Sequence, residues 1–116
     1  MVTPDITNKR SKPEYSLTRI RELAAKSKVI YGSGDVQRDI SNLSYSLSDV
    51  CDCLCALEEG HYVESILYEK AAGWLDVYRR TWQLAGQQRD PLYIKLKLNN
   101  DCITIILASF HREGSL

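Results

Sequence analysis

What this sequence lacks narrows the field before anything it contains. No apolar run approaches the roughly 20 residues of a membrane-spanning helix. Met1–Ser16 holds no apolar stretch of the kind that forms a secretory signal. The expectation is a cytoplasmic chain with no membrane partner, whose four cysteines stay reduced. Net charge is missing as well, because 15 Lys and Arg balance 15 Asp and Glu. A broadly basic surface for nucleic acid is thereby excluded, and any anion-binding surface must be a local patch. Gly32-Ser-Gly34 is too short for a phosphate loop and leads into no Lys-Ser/Thr pair. There is no serine elbow and no His-Glu-x-x-His, and the carboxylates are not grouped as a metal nuclease needs. Nothing therefore calls for a metal or an organic cofactor. Cys51-Asp-Cys53-Leu-Cys55 alternates rather than following a zinc spacing. It reads as structural thiols, with Cys51 and Cys55 on one helix face and Cys53 pointing away.

What is present fits one domain, since 116 residues suffice for a single core. Residues 1–13 are polar, carry two prolines and show no period, so they read as a flexible tail before a domain over 14–116. Ser16 can cap an amphipathic helix over Leu17–Lys28, with Leu17, Ile20, Leu23 and Ala24 on one stripe. Tyr31-Gly-Ser-Gly34 signals a loop, and Asp35 can cap a short helix to about Leu43. A stronger helix starts at Ser46 or Ser48, aligns Leu47, Val50, Cys51, Leu54 and Leu57, and is ended or bent by Gly60. His61–Tyr68 is compatible with helix or strand.

From Trp74 the period changes to two. Strands are expected at Trp74–Thr81, Leu92–Leu98 and Cys102–Phe110, the last two joined by a tight turn at Asn99-Asn100-Asp101. Cys102 would then begin a core-facing row. The fold class is α+β, with N-terminal helices packed on one face of a C-terminal antiparallel sheet. Hairpin parity decides which side chains meet. A three-residue turn pairs Leu98 with Cys102 and puts Tyr93 on one face with Leu107, Ser109 and His111. A two-residue turn sends His111 to the other face unless a bulge corrects it.

The chemistry-bearing residues cluster late: Trp74, Tyr78, Arg79, Arg80, Tyr93, Lys95, His111 and Arg112. Aromatic rings stack on bases, arginines hold phosphates, and His or Tyr can exchange protons, so these types suit RNA. The same residues also serve as ordinary core, rim and solvated-face positions.

Trp74-Leu-Asp-Val-Tyr-Arg79, Leu92-Tyr-Ile-Lys95 and Ser109-Phe-His-Arg-Glu113 resemble, in order and spacing, the MqsR family of toxins (motility quorum-sensing regulator). The likeness runs from about residue 13 to 113 and includes, more loosely, Leu17-Thr-Arg-Ile20 and the apolar helix ending at Leu57. It implies a RelE-like fold and a metal-independent endoribonuclease that cuts mRNA. It also implies a cognate MqsA-like antitoxin that contains zinc and binds DNA. The family's sheet tyrosine corresponds to Tyr93. Family lysines fall at His111 and Glu64, and a family glutamine falls at Leu75.

On that resemblance the catalytic candidates are His111, Tyr93, Arg79 and Lys95. The RNA-binding candidates are Trp74, Tyr78, Arg80, Lys97 and Arg112. His111 is the choice for proton transfer because an imidazole titrates near neutrality. Tyr93 would orient the 2′-hydroxyl or share acid–base work, and Arg79 or Lys95 would neutralise the transition state. Glu64 and Leu75 leave open an alternative, an inactive RelE-like module that only binds its antitoxin.

Overall fold

The computed structural model describes residues 6–69 and 72–114. Each of its three α-helices opens on a serine whose hydroxyl accepts the backbone N–H three residues on, satisfying a donor the helix itself cannot. Ser16 caps α1 (Leu17–Ala25), Ser33 caps α2 (Gly34–Asn42) and Ser46 caps α3 (Leu47–Cys55), the last within a capping box closed by Asp49. Asp35 is therefore not the cap of α2 but lies in its first turn. The helix over 17–28 stops at Ala25, because Ser27 turns into the left-handed region and Val29 is drawn into the core as a strand. Gly60 does not end α3. The helix stops at Cys55, and Gly60 sits in a separate 3-10 turn, Glu59–His61.

The strands are β1 (Ile6–Arg10), β2 (Val29–Tyr31), β3 (Tyr62–Tyr68), β4 (Leu75–Gln83), β5 (Arg89–Leu98) and β6 (Ile105–Arg112). They form one sheet in the order β1-β3-β4-β5-β6-β2, antiparallel except for β2 against β6. The tail reading is corrected here. Ile6–Arg10 pairs with β3 as an edge strand, while residues 1–5 lie outside the described residues. Of β2 only Tyr31 falls in the loop signal, and three residues are too few to show a period. Gly32, just after it, is required by close approach: a Cβ there would stand 2.7 Å from the Leu107 carbonyl oxygen, to which the Gly32 N–H donates at 2.8 Å.

β5 shows why the sheet has two different faces. Leu92, Ile94, Leu96 and Leu98 are buried, and Pro91, Tyr93, Lys95 and Lys97 between them are not. The buried row packs with Ile20, Leu23, Val36, Ile40, Val50 and Leu54 of the helices in one core. Cys53 belongs to that core and is fully buried, although it lies on another face of α3 than Cys51 and Cys55. The core wraps far enough around α3 to take Cys51 and Cys53 together. Cys102 is corrected: it is exposed, has φ 54°, and lies before β6 rather than in it.

Asp76 in β4 is a charge with no exposed surface. Its carboxylate accepts hydrogen bonds from the backbone N–H groups of Glu14 (3.0 Å) and Tyr15 (3.0 Å) and from the Ser65 hydroxyl (2.5 Å). These bonds tie the segment between β1 and α1 onto the sheet. They give a structural reason for the Asp in Trp74-Leu-Asp-Val-Tyr-Arg79.

Candidate active site

The candidate site is the sheet face away from the helices. The register from Leu98 to Leu96 pairs these residues with Ile105 to Leu107. It then shifts so that Lys95 faces Ser109, Tyr93 faces His111 and Ala108 has no partner on β5. The connection over residues 99–104 is longer than the expected three-residue turn, held by Asn99 Oδ1, which accepts from the N–H groups of Ile103 and Thr104. Leu107 pairs with Leu96 and is buried on the helix side, so it does not share the face of Tyr93 as the short-turn register required. His111 does, because the unpaired Ala108 reverses the parity of the strand.

The rings of Tyr93 and His111 stack at 5.3 Å between centroids, 17° from parallel. His111 Nδ1 lies 2.8 Å from the Arg112 carbonyl oxygen. A carbonyl only accepts, so Nδ1 carries the hydrogen and the neutral ring keeps its lone pair on Nε2. The Arg79 guanidinium carbon stands 5.7 Å from the Tyr93 centroid and Lys95 Nζ stands 5.6 Å from it. Arg79 Nε also pairs with Glu113 at 3.2 Å. Lys95 donates to the Tyr68 hydroxyl at 2.6 Å. His111 further lines a cleft of about 380 Å³ with Arg112 and with Asp35, Arg38, Asp39 and Asn42 of α2. Among the described residues no three His, Cys, Asp or Glu side chains come together as metal ligands.

The four catalytic candidates, His111, Tyr93, Arg79 and Lys95, thus share one face, and Lys97 continues their row along β5. The remaining RNA-binding candidates do not join them. Tyr78 is buried against the Tyr62 ring in the core, where burial pushes its hydroxyl well above the usual phenol range. Its assignment to RNA is withdrawn. Arg80 and Arg112 both flank Leu92 and point to the helix side. There Arg80 donates to the Ala56 carbonyl at 2.6 Å, and Arg112 is bound by Asp90. Trp74 precedes β4 with Arg10 stacked 4.1 Å from its ring centroid, and its carbonyl accepts from Tyr15. Period two separates residues 78, 80 and 112 from residues 79, 93 and 111 only once the register is known.

The family described as motility quorum-sensing regulator, toxin of MqsA, matches residues 12–112. The chain belongs to this family. No curated protein matches it. Membership makes it the toxin of a toxin–antitoxin pair, with an antitoxin as partner; the family description names MqsA. The matched span begins after β1, so this MqsR-family toxin carries its edge strand outside the shared region. All three positions at which the resemblance sets another residue against the family's, Glu64, Leu75 and His111, stand on the candidate face. Glu64 pairs with Lys9 of β1 at 3.6 Å, and Leu75 lies beside Ile66 on the same side of the sheet as Lys97. No helix among the described residues is long and apolar enough to cross a membrane.

Sequence reasoning missed two residues, Asp76 and Tyr68. Tyr68 was hidden because His61–Tyr68 fits helix or strand equally. Once that segment is a strand, Glu64, Ile66 and Tyr68 fall on the candidate face by alternation.

Proposed function

We propose that this MqsR-family toxin is a metal-independent endoribonuclease that cuts mRNA in the cytoplasm and is silenced by a zinc-containing antitoxin of the MqsA kind. One observation carries the reading: a phenol and an imidazole, Tyr93 and His111, lie side by side on an open sheet face with Arg79 and Lys95 within 6 Å of the phenol ring. RNA brings its own nucleophile. The ribose 2′-hydroxyl attacks the adjacent phosphorus, and His111 Nε2 takes its proton. Tyr93 orients that hydroxyl, while Arg79 and Lys95 neutralise the phosphorane. The P–O5′ bond then breaks. The leaving 5′-oxygen recovers a proton from the imidazolium or the phenol, and the other product ends in a 2′,3′-cyclic phosphate.

The test is incubation of the purified toxin with RNA. Cutting that persists in EDTA, with cyclic-phosphate ends, is the expected result. Cutting that stops in EDTA and returns with magnesium, or ends of another kind, would defeat the scheme. The second reading, a silent module that only binds its antitoxin, draws on Glu64 and Glu113, which place carboxylates on the same face and pair with its cations. It predicts intact RNA under the same conditions together with tight antitoxin binding.

A further inference from the structure

Tyr68 and Lys95 stand on β3 and β5, with β4 between them. Two strand spacings separate the strands by roughly 10 Å, and Tyr68 lies four residues past Glu64, the β3 residue level with Lys95. Lys95 Nζ still reaches the Tyr68 hydroxyl at 2.6 Å and lies 4.9 Å from the Tyr68 ring centroid. The two side chains therefore meet diagonally over β4. Leu75 and Val77 of β4 point to this face, and Val77 has no exposed surface. An apolar floor strengthens the charge–dipole contact above it, because fewer waters compete. A free lysine side chain loses rotamer entropy when a ligand fixes it. Lys95 is fixed in advance, and two of its three N–H bonds remain for another acceptor.

We propose that Tyr68 is a positioning residue of this site: its hydroxyl holds the Lys95 ammonium over β4, aimed at the RNA phosphate on which Tyr93 and His111 act. The phenol oxygen that accepts from Lys95 keeps its own hydrogen, and among the described residues nothing accepts it. That hydrogen is free to reach a second phosphate oxygen. This inference rests on the ribonuclease reading.

A double-mutant cycle on RNA cleavage, with NMR of the lysine ammonium, tests both. Tyr68→Phe keeps the ring and removes only the oxygen, so its melting temperature should match the wild type. Lys95→Met is expected to lower kcat by about 10²-fold. Tyr68→Phe should lower kcat by about tenfold, with KM changed far less. The double variant should be no slower than Lys95→Met alone, because the tyrosine acts through the lysine. A Lys95 ammonium signal protected from water exchange should be present in the wild type and lost in Tyr68→Phe. Losses that multiply in the double variant, or full activity of Tyr68→Phe beside an impaired Lys95→Met, would overturn the positioning role alone. So would an ammonium signal that survives in Tyr68→Phe. A wild type that cuts no RNA would overturn the ribonuclease reading, and the ammonium signal would still decide whether Tyr68 holds Lys95.

Discussion

The Tyr93 ring lies against the His111 ring, 5.3 Å between centroids, on the sheet face that the helices leave open. The contact depends on the register skipping Ala108, which has no partner on β5. Continuing the register of Leu98–Leu96 would set Phe110 opposite Tyr93 and His111 opposite Leu92, reversing every side chain from there to the end of the strand.

His111→Ala should lower RNA cleavage by about 10²–10⁴-fold, the usual worth of a general acid or base. The imidazole is only half-buried, so the urea midpoint should not move. Tyr93→Phe keeps the stacking and removes the hydroxyl. A drop in kcat from that change would place the oxygen, not the ring, in the reaction. Undiminished cutting by His111→Ala would remove the imidazole from the mechanism.

Deleting Ala108 and Ser109 together should abolish cleavage and also destabilise the fold. Loss of Ala108 alone removes the bulge and leaves Tyr93 opposite His111, whereas loss of both sets Phe110 opposite Lys95. β6 then has two poor choices: to turn Phe110, now without exposed surface, out of the core, or to lose pairing with β5. Exposing a phenylalanine alone costs about 1.5–3 kcal/mol. Denaturant unfolding measures this, and a double-deletion variant with wild-type stability and activity would show that the register does not set the face.

Asp76→Ala should cost on the order of 3–5 kcal/mol, since it strands the N–H groups of Glu14 and Tyr15 around a cavity, while the Ser65 hydroxyl keeps the Lys12 carbonyl and Tyr62 as partners. Asp76→Asn retains one carbonyl acceptor and should cost less. If Asp76→Ala unfolds at the wild-type urea midpoint, the carboxylate is not what ties the segment before α1 to the sheet.

Alkaline pH should weaken the fold through groups that burial keeps neutral. Burial pushes the Cys53 thiol from 9.0 up to about 12, against a smaller opposing pull from Arg80, and raises the Tyr15 hydroxyl from 10.0 to about 12. Both folded values exceed the unfolded ones. Their contribution is therefore complete below about pH 9 and is lost as pH climbs toward 12. The urea midpoint should hold steady from neutral pH to about pH 8 and fall beyond it, less steeply in Cys53→Ala. In the same protein at neutral pH a thiol reagent should modify exposed Cys102 at once, and Cys51 and Cys53 only on unfolding. Equal labelling of Cys53 and Cys102 would contradict the burial.

Much of this architecture was readable from residue order. Ser16 announced one helix start, Ser46 or Ser48 announced another that the structure places at Ser46, and the alternation of Leu92–Leu98 announced both a strand and its buried row. Less was readable where elements are short or ambiguous. β2 is three residues long. β1 is polar and pairs only at the sheet edge. His61–Tyr68 carried no decisive period, and so Tyr68 went unassigned. The third cap was misplaced by two residues, because Ser33 and Asp35 are both good capping types and only the backbone shows which accepts the Val36 N–H.

Local chemistry by itself determined which side chains seek the core, where helices begin, and that a phenol, an imidazole and several cations fall late in the chain. Such preferences act over a few neighbouring residues and need no partner. Which of those groups meet was decided only by tertiary structure. An unpaired Ala108 turns His111 to Tyr93, while Arg80 and Arg112 are drawn to acceptors on the helix side and Lys95 is caught by Tyr68 across an intervening strand. The physical reason is that a strand's faces alternate at every residue, so one bulge or one shift of register exchanges them.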